Sequence, residues 1–316
     1  MYKVLVTSRS FGQKSHLPIE VLEKADIEVT HMGQDFNLER FETEVKDYDA
    51  LIIGAHPFRT EVMRGCQKLE IVAKHGAGVD NIDLVTAREM GILVTNVPAM
   101  NANAVADLAF GHILNLSRGI SIADKRVHKG EWKPYTGRDV FGKTLGLVGF
   151  GAIAKNVARR AKGFSMKVYA YDPFQESVPE EFRDFVSLVD FDTLLAESDV
   201  ISIHVPLTAE TNGLFDYDTI CRMKKESILV NTGRGGIISE EDLYQALVEG
   251  RILGAALDVT EKEPIDSGNP LLTLENVVIT PHIGMYSLEA INAVGMICAE
   301  NVVRGLKGEE LEFRVV

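Results

Sequence analysis

The sequence predicts an α/β protein of two domains, each a doubly wound parallel sheet covered by helices. Three observations lead to this prediction: strand-like segments alternate with amphipathic segments up to residue 96, the alternation stops in a helical stretch at 101–128, and it resumes at Thr144. Strands that alternate with helices form right-handed crossovers and therefore parallel sheets. A length of 316 residues suits two domains of ordinary size.

Composition and charge narrow the class of protein. Hydrophobic residues make up 46% of the chain and charged residues 25%, which is typical of a globular fold rather than of disorder or a fibre. The 33 Lys and Arg against 46 Asp and Glu give a net charge of −13. We therefore expect no nucleic-acid partner and no anionic membrane, because both attract a positive field. No apolar run reaches the ~18 residues of a membrane span.

The cysteines and the first residues bear on the compartment. Cys66, Cys221 and Cys298 are scattered and form no CxxC pair, so we expect neither a disulfide framework nor a metal site. Residues 1–10 have the pattern of a polar-ended strand rather than of a secretion signal. The sequence therefore predicts a cytoplasmic protein.

The first domain is predicted over residues 1–99. Its strands are expected at 3–7, 26–30, 50–54, 70–74 and 92–96, and its helices at 18–24, 38–45, 61–66 and 84–90. The Ala-rich stretch from Asn101 to His128 is predicted as one long helix or two in tandem. A last helix from about Ser287 to Leu306, with the tail after it, completes the first domain as 287–316.

The second domain is predicted over residues 100–286. Its strands are expected at 144–150, 167–172, 200–205, 227–232, 255–259 and 276–280, and its helices at 152–162 and near 190–196, 216–223 and 239–249. Ser239, followed three residues later by Asp242, predicts a capped start for the last of these helices.

A dinucleotide fingerprint opens the second domain. Gly149-Phe150-Gly151-Ala152-Ile153-Ala154 is a G-x-G-x-x-A run between a predicted strand and a predicted helix. The glycines permit a tight turn and a close approach of pyrophosphate to the helix N-terminus. Asp172 ends the next strand, where a carboxylate accepts both ribose hydroxyls and repels a 2′-phosphate, which selects NAD over NADP. The alternative is that Asp172 only caps the turn at Pro173.

Three further motifs each follow a predicted strand of the second domain. They are Asn231–Gly236, Asp258–Pro264 and Thr280–Gly284. Arg234, between glycines, is well placed to fork onto a carboxylate. Taken singly, these motifs also fit a turn arginine, a solvated acidic loop and a structural histidine. Because ligands bind at the carboxyl ends of strands in open α/β sheets, one cleft can gather Arg, Glu and His.

In this order the motifs resemble the D-isomer-specific 2-hydroxyacid dehydrogenases. The resemblance rests on GxGxxA, Asp172, the run His204-Val205-Pro206-Leu207-Thr208, NTGRGG, DVTEKEP and TPHIG, and on 74–83 and 96–106 in the first domain. It covers nearly the whole chain. It implies a flavodoxin-like substrate domain, a Rossmann domain that binds NAD, and a homodimer formed through the helical region 101–128.

The resemblance also implies a mechanism. His282 would be the general acid that protonates the substrate carbonyl in reduction, and the base in the reverse direction. Glu263 would hydrogen-bond the other ring nitrogen, hold the tautomer and favour the protonated ring. Arg234 would bind the substrate carboxylate and polarise the carbonyl. Hydride transfer is the chemistry of the cofactor.

The implied binding residues fall into two sets. Those expected to contact NAD are Gly149, Gly151, Ala152, Ile153, Asp172, His204, Pro206, Thr232, Gly233, Asp258 and Gly284. Those expected to contact a small anionic 2-hydroxy or 2-oxo acid are Lys74, Ala77, Gly78, Val79 and Arg234. One departure concerns Ala152, which stands where the family often has Arg, so a charged contact to pyrophosphate is missing.

The identity of the acid is the least determined expectation. The first domain is most similar to short-form D-3-phosphoglycerate dehydrogenases, and Lys74, Arg88 and Arg59 are the candidate phosphate ligands. Met285 and Tyr286 instead favour a smaller, less polar substrate such as glyoxylate or hydroxypyruvate. Because the sequence stops at Val316, serine feedback through a C-terminal regulatory domain is not expected. Two other interpretations are an NADH-sensing scaffold of the corepressor type and a formate- or phosphite-type dehydrogenase.

Overall fold

The computed structural model describes residues 1–33 and 35–316, and the chain divides into two compact units. The first unit comprises Met1–Asn101 and Met285–Val316, and the second Ala102–Gly284. Each unit is built on one parallel sheet with helices, which confirms the predicted fold class. In the part of the chain that the structure describes, no helix combines the length and the apolar character needed to cross a bilayer.

The first unit contains a five-stranded sheet in the order β2-β1-β3-β4-β5. Its strands are β1 (Tyr2–Val6), β2 (Ile27–His31), β3 (Ala50–Ile53), β4 (Ile71–Lys74) and β5 (Leu93–Thr95). Its helices are α1 (Leu17–Lys24), α2 (Leu38–Glu44), α3 (Thr60–Arg64), α4 (Leu84–Met90) and α11 (Leu288–Leu306). The strand order reverses between β1 and β3, which is where ligands bind in such sheets.

The alternating side chains of β1 show how this sheet is covered. Leu5 packs into the core on one face, with Phe41 of α2, whereas Val4 and Val6 pack on the other face with Val302 of α11. Both faces are therefore buried, which explains why the strands are continuous apolar runs.

The second unit contains a seven-stranded sheet in the order β12-β11-β10-β9-β6-β7-β8. Its strands are β6 (Thr144–Val148), β7 (Lys167–Tyr171), β8 (Val186–Leu188), β9 (Val200–Ile203), β10 (Ile228–Asn231), β11 (Gly254–Leu257) and β12 (Val277–Ile279). Its helices are α5 (Ala102–Arg118), α6 (Ile120–His128), α7 (Ala152–Gly163), α8 (Phe191–Glu197), α9 (Tyr217–Cys221) and α10 (Glu240–Val248). The order reverses between β6 and β9, as in a Rossmann sheet.

The second unit contains one strand that was not predicted, and it decides between one helix and two for the stretch 101–128. Strand β8 was not predicted, because three residues are too short to show a period. The stretch 101–128 forms two helices that are separated at Gly119, which has a φ of 60°. The ring of Tyr135 occupies the position that a Cβ of residue 119 would need, so a larger residue would have to displace that ring as well as adopt a positive φ. The predicted cap of α10 is confirmed, because Ser239 Oγ accepts a hydrogen bond from Asp242 N at 3.3 Å.

Candidate active site

The fingerprint turn of the second unit depends on its two glycines. Gly149 has a φ of 87°, and a Cβ at this position would lie 2.9 Å from Val205 Cγ1 and 3.0 Å from the carbonyl oxygen of His204. A Cβ on Gly151 would meet nothing within 4 Å, so the space in front of the turn is open. Gly149 is therefore required by backbone geometry, and Gly151 leaves room for a ligand group.

The start of α7 presents backbone donors to that open space. Gly151 is the N-cap of the helix and makes no side-chain capping bond. The N–H groups of Ala152 and Ile153 belong to the first turn, which has no intrahelical acceptors. Together with the helix dipole they suit an anionic group such as a pyrophosphate. Ala152 adds no cationic side chain to these donors.

Asp172 follows β7 and contacts the same turn. Its Oδ2 accepts a hydrogen bond from Phe150 N at 2.9 Å, and its Oδ1 accepts one from Phe174 N at 3.0 Å. The capping alternative is thus part of the geometry, since Oδ1 closes the turn after Pro173. Each carboxylate oxygen can accept a second bond, so the two ribose hydroxyls of an adenosine still have acceptors here.

The segment after β9 contains His204 and Pro206, which the sequence analysis expects to contact NAD. His204 is directed into the interior, where Nε2 lies 2.9 Å from Ser202 Oγ and Nδ1 is buried without a partner in the described structure. Burial lowers the pKa of this imidazole to about 3. Pro206 is exposed, and its carbonyl accepts a hydrogen bond from Thr211 Oγ1 at 2.6 Å. His204 therefore borders the fingerprint turn with its backbone carbonyl, beside the side chain of Val205, while its ring is directed into the interior.

The segment after β10 is a rigid turn that carries Arg234. Asn231 spans it, accepting from Gly233 N at 2.9 Å and donating to the carbonyl of Arg234 at 2.8 Å. Arg234 in turn donates to the carbonyl of Gly233 at 2.8 Å. Thr232 is buried, and its hydroxyl has no partner in the described structure. An orphaned buried hydroxyl beside the turn is a feature that a bound ligand would satisfy.

The segment after β11 brings Asp258 into contact with the segment after β12. Asp258 is 2% exposed, and its Oδ1 accepts from Thr280 Oγ1 at 2.6 Å and from Ile283 N at 2.8 Å. Its Oδ2 accepts from Gly284 N at 2.8 Å. A Cβ on Gly284 would lie only 3.1 Å from that oxygen, so a larger residue would push the turn away from the carboxylate.

His282 and Glu263 form a hydrogen-bonded pair. His282 Nδ1 lies 2.8 Å from Glu263 Oε2, and both side chains are partly exposed. The backbone of His282 has a φ of 53°, which is unusual for a residue with a Cβ. Its N–H donates to the carbonyl of Asp258 at 2.8 Å. A strained residue that is held this firmly is typical of a functional site.

Arg234 belongs to the same cluster as the pair. Burial opposes ionisation of Glu263, but the hydrogen bond from His282 and its charge outweigh burial and lower the pKa of the carboxyl, with Arg234 contributing in the same direction. Gly235 packs directly on the carbonyl of Thr260, where any Cβ would overlap. The structure therefore brings the three predicted catalytic residues together at one edge of the second sheet.

The first unit has its own loop at the carboxyl end of β4. Lys74 is buried, and its Nζ donates to the carbonyl of Gly54 at 2.6 Å. Within the described residues, the N–H groups of Ala77, Gly78 and Val79 donate to no protein acceptor. The loop is fixed from the other side, because Asn96 Nδ2 donates to the carbonyl of Ala77 at 2.6 Å. Three consecutive unpaired donors on a fixed loop suit a carboxylate.

The cations of the first unit are distributed over both edges of its sheet. Arg59 caps α3 on the carboxyl edge, whereas Arg88 lies in the last turn of α4, which leads back to the amino edge before β5. Arg88 is therefore remote from Lys74. Sequence reasoning missed Arg9, which is exposed between the buried Ser8 and Ser10 just after β1.

Arg9 is connected to the Lys74 loop through packed backbone. Ser8 Oγ lies 3.0 Å from Nδ1 of His75, and a Cβ on Gly54 would lie 3.2 Å from Ser8 Cα. Because Gly54 also accepts the Lys74 hydrogen bond, one glycine joins the two cationic segments. The signal in the sequence was a lone arginine among small polar residues at a strand end.

Comparison with known proteins identifies the family. Residues 110–284, more than half of the chain, match the model described as "D-isomer specific 2-hydroxyacid dehydrogenase, NAD binding domain". The chain belongs to this family. Its second unit is accordingly the NAD-binding domain, and the donors and the orphaned hydroxyl described above fit that cofactor.

Individual members of the family are similar over most of the chain. A D-3-phosphoglycerate dehydrogenase of Archaeoglobus fulgidus is 43% identical over 92% of this chain and 55% of its own length. A hydroxypyruvate reductase of Thermotoga maritima is 41% identical over 90% of this chain and 93% of its own. The crystal structure of the TT0316 protein from Thermus thermophilus superposes with a TM-score of 0.91 at 34% identity, covering 99% of this chain and all of that one. The chain thus spans about half the length of the phosphoglycerate dehydrogenase it matches.

Proposed function

We propose that this protein is an NAD-dependent oxidoreductase that interconverts a D-2-hydroxy acid and its 2-oxo acid. The observation that carries the proposal is the His282–Glu263 pair at 2.8 Å, with Arg234 close enough to influence the Glu263 carboxyl. The pair lies on the same sheet edge as the fingerprint turn of an NAD-binding domain. A proton donor, a carboxylate-binding cation and a dinucleotide site are what this reaction needs.

His282 is the general acid and base in this proposal. Its Nδ1–H is directed to Glu263, so Nε2 is the nitrogen that gives a proton to the carbonyl oxygen in reduction and removes one from the hydroxyl in oxidation. Glu263 stays ionised, since its pKa is lowered, and it fixes the ring orientation. Arg234 binds the substrate carboxylate and polarises the adjacent carbonyl.

NAD is held by the second unit in this proposal. The N–H groups of Gly151, Ala152 and Ile153 bind the pyrophosphate, and Asp172 accepts from the adenosine ribose. The remaining contacts are proposed to come from Gly149, His204 through its backbone, Pro206, Thr232, Gly233, Asp258 and Gly284. When bound, NAD supplies the nicotinamide C4 position that accepts or donates the hydride.

The first unit binds the substrate in this proposal. The unpaired N–H groups of Ala77, Gly78 and Val79 receive its carboxylate, since consecutive main-chain donors suit an anion. Lys74, the exposed Arg9 and Arg59 are cations at the same edge of the first sheet, and Lys74 and Arg9 would serve a phosphate on the distal carbon. D-3-phosphoglycerate is therefore the first candidate substrate.

A small 2-oxo acid such as hydroxypyruvate or glyoxylate is the second candidate. It is favoured by Met285, whose Sδ would lie 4.0 Å from a Cβ on Gly76 and therefore flanks the loop with a thioether. It is also favoured by the burial of Lys74, whose ammonium already donates to the carbonyl of Gly54.

A panel of kcat/KM values tests the proposal and separates the two candidates. Oxidation of D-3-phosphoglycerate, D-glycerate and D-lactate with NAD, and reduction of hydroxypyruvate and glyoxylate with NADH, are measured under one buffer condition, with L-isomers as controls. We expect at least one D-acid or 2-oxo acid to turn over and L-isomers to be inactive. NAD binding without turnover of any acid contradicts the enzymatic proposal and favours the scaffold, and turnover of formate alone favours the formate-type alternative.

We further propose a homodimer formed through α5 and α6 and a cytoplasmic setting. No described residue of α6 is buried within the chain, and its apolar residues Ile120 and Val127 are about half exposed. An amphipathic helix without buried positions is typical of an interface. All three cysteines are free, as a reducing compartment requires. Light scattering should give twice the chain mass of 34.8 kDa, and Ile120→Glu should give the monomer.

A further inference from the structure

A buried histidine on α5 is connected to the turn that carries His282. His112 is 4% exposed, and its Nε2 lies 3.2 Å from Thr280 Oγ1. Burying an imidazole in a helix face that is mostly apolar is unfavourable unless the ring makes a specific hydrogen bond. The roles assigned above leave this residue without a function.

The direction of the hydrogen bonds follows from counting protons. Thr280 has one hydroxyl proton, and it points to Asp258 Oδ1 at 2.6 Å, which as a carboxylate oxygen can only accept. His112 Nε2 must therefore be the protonated nitrogen and donate to Thr280. Burial lowers the pKa of His112, and the charge of Asp258 acts in the opposite direction but is the smaller effect. The ring is therefore neutral and has a single N–H donor. The result is a chain of two hydrogen bonds that ends on Asp258.

Asp258 connects these two hydrogen bonds to the backbone around His282. Its two carboxylate oxygens accept the N–H groups of Ile283 and Gly284, each at 2.8 Å, and its carbonyl accepts the N–H of His282 at 2.8 Å. These bonds hold His282 at its φ of 53°. Without them the backbone would be free to leave the left-handed region.

Helix α5 contacts the turn at a second point on the same face. Val105 precedes His112 by two helical turns, and its side chain lies 3.4 Å from where a Cβ of Gly284 would be. Residues seven apart lie on one face of a helix, so α5 supports the turn by packing at one end and by hydrogen bonding at the other.

We propose that His112 is a positioning residue for catalysis, which anchors the His282 turn to α5 through Thr280 and Asp258. The proposal rests on the proposed function for its kinetic consequence, but the anchoring itself is a structural property. His112 does not touch the reacting atoms, and its effect is confined to the geometry in which His282 meets the substrate. A misplacement of a catalytic group by a fraction of an ångström lowers turnover rather than cofactor affinity.

Two substitutions at one position separate hydrogen bonding from packing. His112→Leu replaces the ring with an apolar side chain of similar size that has no donor, whereas His112→Gln places an amide N–H near the position of Nε2. We expect His112→Leu to lower kcat about tenfold with the KM for NADH within about twofold, and His112→Gln to recover most of kcat. Ser117→Ala, also buried on α5, is the control and should leave both parameters unchanged.

A double-mutant cycle tests whether His112 acts through Thr280. In a Thr280→Val background, His112→Leu should lower kcat no further, because the chain of hydrogen bonds is already broken. If His112→Leu keeps its full effect in that background, the anchoring route is wrong. If His112→Gln is as impaired as His112→Leu, the ring acts by shape and the proposal is overturned.

Amide hydrogen exchange gives a readout that does not depend on activity. We expect exchange in the segment 280–286 to be faster in His112→Leu by about tenfold, and to match the parent in His112→Gln and Ser117→Ala. Unchanged exchange in His112→Leu contradicts the anchor even when kcat falls. If instead the parent turns over no acid while exchange responds as expected, the proposed function fails and the anchor stands.

Discussion

The two units of the molecule share a plan but differ in the groups that they present. In the second unit, side chains that follow β11 and β12 are hydrogen-bonded to one another, with His282 and Glu263 at 2.8 Å, and the charge of Arg234 after β10 helps to lower the pKa of Glu263. In the first unit, the loop after β4 presents main-chain N–H groups, and the cations near it come from separate strand ends. In the proposed function, the side chains of the second unit carry the reaction type, and the loop and cations of the first unit select the substrate.

This difference predicts how each unit responds to substitution. Removing one member of a hydrogen-bonded group leaves its partner charged and unpaired, which is costly. A main-chain donor, in contrast, survives any change of side chain. We therefore expect large kinetic effects from the second unit and small, substrate-dependent effects from the first.

The largest effect is expected at His282. His282→Ala should lower kcat by at least about a hundredfold, because it removes the proton donor, while affinity for NADH measured by fluorescence stays close to the parent value. Glu263→Gln keeps a hydrogen-bond partner without the charge, and it should retain more activity than His282→Ala. Most of the activity surviving in His282→Ala would show that the second unit does not encode the reaction in this way.

The fold and this cluster could be predicted because they depend on spacing. Parallel strands end at one edge, so Arg234, Glu263 and His282 had to lie near each other once each was known to follow a strand. Strand β8 could not be predicted, since its three residues carry no period. Spacing also gives the edge at which a residue lies, but not the direction of its side chain.

His204, Arg88 and His112 illustrate that limit in different ways. His204 follows a strand as predicted, but its ring is directed inward beside Ser202. Arg88 could have been excluded as a phosphate ligand from the sequence alone, because the last turn of a helix that links parallel strands lies at the amino edge of the sheet. His112 gave no signal, since its partner Thr280 is 168 residues away in sequence.

A comparison of acid stability tests a feature that both units share. Each has a buried neutral histidine just after a strand, His75 in the first and His204 in the second, and burial lowers the pKa of both to about 3, with the charge of Lys74 adding to the effect at His75. Because the unfolded forms titrate near 6.5, each group stabilises its unit fully above that pH and less as the pH falls toward 3. Between pH 6.5 and 5 we expect a loss of about 2 kcal/mol per histidine.

Hydrogen exchange resolved by unit measures that loss. His75→Asn should reduce the pH dependence of opening in the first unit, where His56 with a pKa lowered to about 4 by burial keeps a second contribution, and should leave the second unit unchanged. An equal response of both units to His75→Asn would mean that they do not unfold separately. No response in either would mean that His75 is protonated in the folded protein.

Cofactor selection should give a smaller effect, again in the second unit. The Asp172 carboxylate stands beside the fingerprint turn, where it would repel a 2′-phosphate. The parent protein should therefore prefer NAD, and Asp172→Ala should narrow the ratio of kcat/KM for NAD over NADP by about tenfold, mostly through the KM for NAD. Asp184→Ala, which removes an exposed carboxylate before β8 and therefore at the amino edge of the sheet, is the control. Equal kcat/KM for NAD and NADP in the parent protein contradicts the role of Asp172.

The smallest effects are expected from the cations of the first unit, and they decide the substrate. Lys74→Met keeps most of the buried aliphatic stem while it removes the charge, and Arg9→Ala removes an exposed one. If the substrate carries a phosphate, each change should lower kcat/KM for D-3-phosphoglycerate about fivefold more than for D-glycerate, because only the phosphate loses a cation. Arg88→Ala, at the opposite edge of the same sheet, should lower both equally or not at all. If Lys74→Met and Arg9→Ala each lower kcat/KM equally for D-3-phosphoglycerate and D-glycerate, no phosphate is bound at this edge. The substrate is then a small 2-oxo acid, which the thioether of Met285 and the buried lysine favour.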